Sequence, residues 1–145
     1  MTGLSFSQVP PEYLDFVWQQ IEPEVRRGLR RVGSGHETGD HLHEAVRGGR
    51  MTMWAIHEGT EVHAAVIFSL RQSGSRLYVF VEMLAGRGID AWIDELIRLL
   101  MDYRGLIGAK GLEASCRPGL ARYLERKGWR RKAVVMRAPE GVEHG

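Results

Sequence analysis

Residues 76–103 read RLYVFVEMLAGRGIDAWIDELIRLLMDY, and this stretch decides the fold. Residues 76–84 alternate with period two: Leu77, Val79 and Val81 face one way, Tyr78, Phe80 and Glu82 the other, as successive side chains of a strand do. Both faces are largely apolar, which predicts a central strand covered on two sides. Gly86-Arg87-Gly88 breaks the pattern. Ile89, Trp92, Ile93, Leu96, Leu99, Leu100 and Tyr103 then recur at helical spacing, and predict an amphipathic helix over 89–103 that Gly105 and Gly108 close. A strand that feeds such a helix predicts a crossover to a parallel neighbour, and residues 111–115 supply a short strand in that place.

Working outward from this unit, residues 62–70 and 51–57 read as strands joined by the turn Glu58-Gly59-Thr60-Glu61, and Gly74-Ser75 marks a second turn. The three strands are therefore antiparallel hairpin neighbours. Further upstream, residues 4–9 alternate as a short strand, and Pro10-Pro11 ends it. Leu14, Val17, Trp18, Ile21, Val25 and Leu29 follow at helical spacing with Pro23 inside the pattern, where an interior proline predicts a kink or a restart. A loop follows over 30–39 around Gly33-Ser34-Gly35, and Thr38 is the expected N-cap of a short helix carrying Leu42, Ala45 and Val46 that Gly48-Gly49 stops. Downstream, Pro118 opens a helix carrying Leu120, Ala121 and Leu124, Gly128 ends it, and residues 133–137 read as the last strand. The order is β-α-α-β-β-β-α-β-α-β, an α+β class with a mixed sheet, in one domain over 1–138 with a polar tail over 139–145.

The 145 residues suit a single core. Hydrophobic residues make up 43% and charged residues 26%, an ordinary globular mixture. Cys116 is the one cysteine, which excludes an intramolecular disulfide framework. No apolar run reaches the roughly 18–20 residues of a membrane span. The opening Met1-Thr2-Gly3-Leu4-Ser5 lacks the pattern of a secretory signal, and with a single cysteine the expected location is a reducing compartment such as a cytoplasm, or a virion interior. The net charge of +2 names no partner, but residues 117–137 hold eight basic residues against Glu125 alone. Such a patch reads either as a contact for nucleic acid or another polyanion, or as a solvated face.

The element order resembles that of the GNAT N-acetyltransferases over nearly the whole chain. In that family acetyl-CoA lies between two central strands that splay apart, its pyrophosphate held by backbone N–H groups at the start of the following helix, as helix N-termini hold anions generally. The resemblance implies that residues 76–84 and 111–115 are the splayed strands and that Leu84, Gly86, Arg87, Gly88 and Ile89 form the pyrophosphate loop. The family's loop reads Arg/Gln-x-x-Gly-x-Gly/Ala. Here Met83-Leu84-Ala85-Gly86-Arg87-Gly88 keeps both glycines and places Met83 at the first position. The family's Tyr-Glu-Lys-x-Gly-Phe, whose tyrosine protonates the departing thiolate, is met by Leu124-Glu125-Arg126-Lys127-Gly128-Trp129, with Leu124 at the tyrosine position. Leucine donates no proton, and Tyr123 lies one residue early, about 100° around the helix.

Glu82 is the candidate base, since some family members carry a catalytic glutamate near the end of this strand. Burial beside Tyr78 and Phe80 would favour its neutral form, and the alternative is a paired carboxylate. Glu113 is a second candidate. His36, His41 and His43, with Asp40 and Glu44, form a cluster whose helical spacing does not converge on a metal, and no metal is expected. His57 and His63 flank the Gly59 turn and could pair across the hairpin.

Leu42-His43-Glu44-Ala45-Val46, Met51-Thr52-Met53-Trp54, Ala91-Trp92 and Gly128-Trp129 also resemble short GNAT-like proteins encoded in the structural-gene blocks of tailed phages. The two motif departures and this resemblance imply a GNAT scaffold with a degenerate active site. It would carry no cofactor and serve as a non-catalytic structural or assembly component of a phage particle, contacting other virion proteins or copies of itself. The alternative is an acetyl-CoA-dependent N-acetyltransferase acting on an amine of a small molecule or protein.

Overall fold

In the computed structural model, which describes residues 3–32, 39–133, 136 and 138–139, the decisive stretch folds as its periodicity predicts, with a longer strand and a later helix. The described elements are β1 (Ser5–Gln8), α1 (Leu14–Val32), α2 (Asp40–Arg47), β2 (Thr52–Glu58), β3 (Glu61–Ser73), β4 (Arg76–Gly86), α3 (Ile93–Leu106), β5 (Gly111–Ala114) and α4 (Pro118–Arg126). The strands form one sheet in the order β1-β2-β3-β4-β5. The first four pair antiparallel, and β5 joins β4 in parallel, as the crossover requires. The last strand expected over 133–137 falls largely outside the described residues, as do Gly33-Ser34-Gly35, His36, Thr38 and residues 140–145 of the tail.

Helices cover both faces of the sheet, so two apolar layers form. Leu14, Val17, Ile21, Val25 and Leu29 of α1, with Leu42 of α2, pack on Met53, Ala55, Ala65 and Ile67. Trp92 and the α3 residues Ile93, Leu96 and Leu100 pack on Ile56, Val66, Phe68, Val79 and Val81. Pro23 does not restart α1, which runs unbroken from Leu14 to Val32. Pro23 sits on the exposed face, while Ile21 and Val25 beside it are fully buried. The hydrogen bond lost by the proline is thus on the water side, and packing of the apolar stripe holds the helix together.

Two single-residue bulges shape the sheet. On β3, Ala64 faces Ile56 and Val62 faces His57, which leaves His63 as an extra residue against β2. On β4, Met83 faces Ile67 and Val81 faces Phe68, which leaves Glu82 as an extra residue against β3. A bulge bends its strand and inverts the alternation beyond it. The inversion is visible in the packing: Val79 and Val81 join the α3 layer, while Met83 and Ala85 beyond Glu82 join the α1 layer.

The N-cap of α2 is Gly39, with φ +77°, in place of the expected Thr38. A Cβ at this position would lie 2.8 Å from Val25 Cγ1 and 3.4 Å from the Trp18 ring. Gly39→Ala is expected to destabilise the chain by about 1–3 kcal/mol in urea unfolding, from left-handed backbone strain together with overpacking of α1.

Candidate functional site

The parallel pairing of β4 with β5 ends early. It runs from Tyr78↔Gly111 to Val81↔Ala114, and a bond of 3.2 Å from Ser115 N–H to the Val81 carbonyl is the last across the pair. β4 continues to Gly86, paired on its other side with β3 through Ala64↔Gly86. Among the described residues, 82–86 therefore present an edge without a strand partner on the β5 side, and the fork opens at the Glu82 bulge. The chain meanwhile leaves β5 through Cys116 and Arg117 into α4.

The inner part of the fork is apolar and nearly filled. Val81 and Leu84 of β4, Ile93 and Ile97 of α3, Ala114 of β5, Leu120 and Leu124 of α4, and Trp129 leave a space of about 30 Å³. The outer part is a larger cavity of about 120 Å³ where both helical layers meet the end of β4. Glu24, Arg27 and Gly28 reach it from α1, Gly86 from the end of β4, Gly88, Ile89 and Trp92 from the connection to α3, and Arg117 and Leu120 from the N-cap and first turn of α4.

That connection, residues 87–92, starts and ends later than the expected loop. Ala85 and Gly86 belong to β4, paired with Ala65 and Ala64, and the Arg87 N–H donates to the His63 carbonyl at 3.0 Å. The helix expected from Ile89 starts at Ile93, after one 3₁₀ turn over Ile89–Ala91. The reason is Trp92, which has non-helical backbone angles and whose indole N–H donates to the Arg87 carbonyl at 2.8 Å. Among the described residues, the Gly88 and Ile89 N–H groups donate to no carbonyl outside their own turn. Gly88 has φ +70°, and a Cβ there would meet open space.

Of the expected loop residues, Leu84, Gly86, Gly88 and Ile89 line the cavity. Arg87 turns away and pairs with Glu61 at 3.2 Å and Glu24 at 3.8 Å. Arg27 and Glu24 carry no motif that reveals them in the sequence. They arrive because α1 crosses the end of β4, a contact between residues some sixty positions apart that only the fold creates. Arg117, legible only as one member of the basic patch, lines the same cavity. The phosphate part of a coenzyme A fits these groups, with two guanidinium side chains, two backbone N–H groups and glycine at the closest approach.

Glu82 is largely buried but held. Ser69 Oγ donates to it at 2.6 Å and the Arg71 guanidinium binds both its oxygens at 3.1–3.2 Å, while Arg71 also stacks on the Phe80 ring. Glu113 accepts from Lys132 Nζ at 2.7 Å, a bond that holds the ammonium above its ordinary pKa. Leu124 is buried in the fork. Tyr123 instead donates to the Asp94 carboxylate on α3, and this bond first of all holds the phenol above its ordinary pKa. Burial pushes the Cys116 thiol up, against the opposing pull of Arg131 and Arg117.

Several cations of the 117–137 patch are neutralised within the chain: Lys127 lies 3.9 Å from Asp94, Arg131 3.3 Å from Glu125, and Lys132 contacts Glu113. His43 Nε2 donates to Asp15 Oδ1 at 3.0 Å, and its ring tilts against Trp18. His57 and His63 do not pair across their hairpin, because His57 bonds Ser7 and the Gly59 carbonyl.

No family model matches the sequence, and no curated protein matches it. Solved structures do match the fold. The tetramutant of the BH1408 protein from Bacillus halodurans superposes with a TM-score of 0.70 at 16% identity, over 93% of this chain and 99% of that one. A ribosomal-protein-alanine N-acetyltransferase from Brucella melitensis biovar Abortus 2308 gives a TM-score of 0.69 at 14% identity, over 94% and 99%. An aminoglycoside N-acetyltransferase in complex with CoA gives 0.63 at 14%, over 95% of each chain. The chain therefore has the GNAT acyl-CoA N-acyltransferase fold, an α+β architecture with a mixed five-stranded sheet among its described residues.

Proposed function

We propose that this protein takes an acyl-coenzyme A at the β4–β5 fork and transfers its acyl group to an amine. The observation that carries the reading is the free edge of residues 82–86 ending in a cavity lined by Arg27, Arg117, Gly88 and Ile89. The cationic pair and the N–H groups would hold the pyrophosphate, and the open β4 edge would offer its backbone N–H and C=O groups to the amide-bearing arm. A bound acyl-coenzyme A supplies an activated thioester. Around it, the apolar side chains Leu84, Leu120 and Leu124 exclude water from the inner fork. Glu82 is the residue proposed to take the amine proton, and it does so only when Arg71 yields one carboxylate oxygen. Leu124 leaves α4 without an acid at that place, so the departing thiolate would take its proton from solvent or from the nitrogen, which becomes positively charged once it has attacked the thioester carbonyl.

Calorimetric titration with acetyl-CoA tests the binding step. Saturable micromolar binding is expected, weakened about tenfold or more in Arg117→Ala and again in Arg27→Ala, since charge-assisted contacts to phosphate contribute roughly 1.5–3 kcal/mol each. Titration without saturation, or affinity unchanged by both substitutions, sinks the reading. An unchanged rate in Glu82→Gln removes the proposed base alone.

A second reading keeps the fold and drops the chemistry, and Leu124 in the fork and Glu82 held by Arg71 favour it. On that reading the chain is a structural or assembly component of a tailed phage particle, without cofactor, the cations of its 117–137 patch, exposed from Arg117 to Lys132, meeting virion proteins or nucleic acid. It expects the chain in purified particles and no acetyl-CoA binding.

A further inference from the structure

We infer that Glu58, Glu61 and His63 bind one divalent first-row transition-metal cation, with Zn²⁺ as the fitting probe, at the hairpin between β2 and β3. The site lies apart from the fork and is independent of the acyltransferase reading. It begins with the β3 bulge. His63 is the residue with no partner on β2, and a bulge re-aims the side chain it carries. Here it aims the imidazole at the mouth of the hairpin. The His63 Nε2 atom is out of solvent and has no hydrogen-bond partner among the described residues. A buried polar nitrogen in that state calls for a ligand or a costly desolvation.

What it faces is two carboxylates. Nε2 lies 3.6 Å from Glu58 Oε1 and 4.0 Å from Glu61 Oε1, too long for hydrogen bonds. One donor atom from each of the three residues falls within 4.8 Å of the others. Donors bound to a tetrahedral Zn²⁺ at about 2.0–2.2 Å stand roughly 3.3–3.6 Å apart, so small side-chain rotations close the set. Glu58 and Glu61 also sit directly opposite each other in the ladder, where like charges destabilise a hairpin. Arg87 bridges Glu61 and Glu24. Three carboxylates against one guanidinium leave an uncompensated negative charge beside the imidazole, a field that attracts a cation.

The donor chemistry narrows the class. One imidazole nitrogen with two carboxylate oxygens suits Zn²⁺ or a neighbouring first-row ion in place of Ca²⁺, and the exposed side of the turn leaves room for water as a further ligand. Arg87 binds Glu61 through Oε2 at 3.2 Å, so Oε1 stays available and oriented. The Arg87 N–H holds the His63 carbonyl, so metal at the hairpin would brace the connection that enters the fork.

The test uses the full chain after dialysis against a chelator. Zn²⁺ is titrated by calorimetry, and Co²⁺ is followed by its visible ligand-field absorption. One equivalent is expected to bind, with affinity at least about tenfold weaker in His63→Gln and in Glu61→Gln, given that even outer-shell changes cost 10–100-fold. His43→Gln, which alters the separate Asp15 pair, is expected to leave it unchanged. Circular dichroism checks that each variant folds, and Glu61→Gln carries the test if His63→Gln does not. Absence of saturable one-to-one binding overturns the proposal. Binding that both substitutions leave intact overturns it too.

Discussion

Gly86→Ala is expected to destabilise the chain by about 2–4 kcal/mol, more than the same change at Gly39 or Gly88. A Cβ at residue 86 would lie 2.3 Å from the Ala64 Cβ, 2.5 Å from its Cα and 2.5 Å from the His63 carbonyl oxygen. None of these is the free end of a flexible side chain, so the strands themselves must separate. The backbone φ of +148° adds strain for any residue with a side chain. Separation would also disturb the adjoining Arg87 N–H bond to His63. Urea unfolding measures the loss, and Gly88→Ala is the matched control: it has φ +70° but open space at the added carbon, so about 1 kcal/mol is expected. Equal costs at the two positions would mean that β3 and β4 do not approach as closely at their ends as described.

Trp92→Ala is expected to cost about 3–5 kcal/mol, the range for removing a large buried aromatic. The indole is almost wholly buried in the α3 layer. It also donates to the Arg87 carbonyl, which fixes the short connection between β4 and α3. Trp92→Phe separates the two contributions. It keeps most of the apolar contact and loses the donor, so about 1–2 kcal/mol is expected. If acetyl-CoA binds, the phenylalanine variant is expected to weaken it as well, because Gly88 and Ile89 lie between the two groups the indole ties together.

The order of elements is legible in the sequence because each carries its own period: two in residues 76–84 and about 3.6 in the helical stretches. The bulges are not. Around Glu82 the neighbours Val81, Met83, Leu84 and Ala85 are all apolar, so a change of face leaves no mark in the pattern. His63 is likewise flanked by Val62 and Ala64. The start of α3 is misplaced by periodicity because Ile89 fits the helical spacing, while the indole bond that holds the chain out of helix is a tertiary choice. Pro23 reads as a break because local propensity counts the lost bond and cannot see the buried stripe that outweighs it. For the candidate site, Gly86-Arg87-Gly88 points to the end of β4 where the cavity lies, but gives no sign that Arg87 turns to Glu24 of α1 and Glu61 of β3. Arg27 and Glu24 can be recovered from sequence only by knowing that α1 crosses that strand end.

The bulge at Glu82 has an evolutionary corollary. It works as a frame shift within a single strand, since every residue beyond it serves the opposite layer from the one its parity assigns. Descendants of this chain can trade Met83 or Ala85 for other apolar residues at modest cost. They cannot gain or lose one residue in the middle of β4 without handing Met83, Leu84 and Ala85 to the wrong helices. Gaps in related chains should therefore avoid this strand and collect in the turns around Gly59 and Gly74.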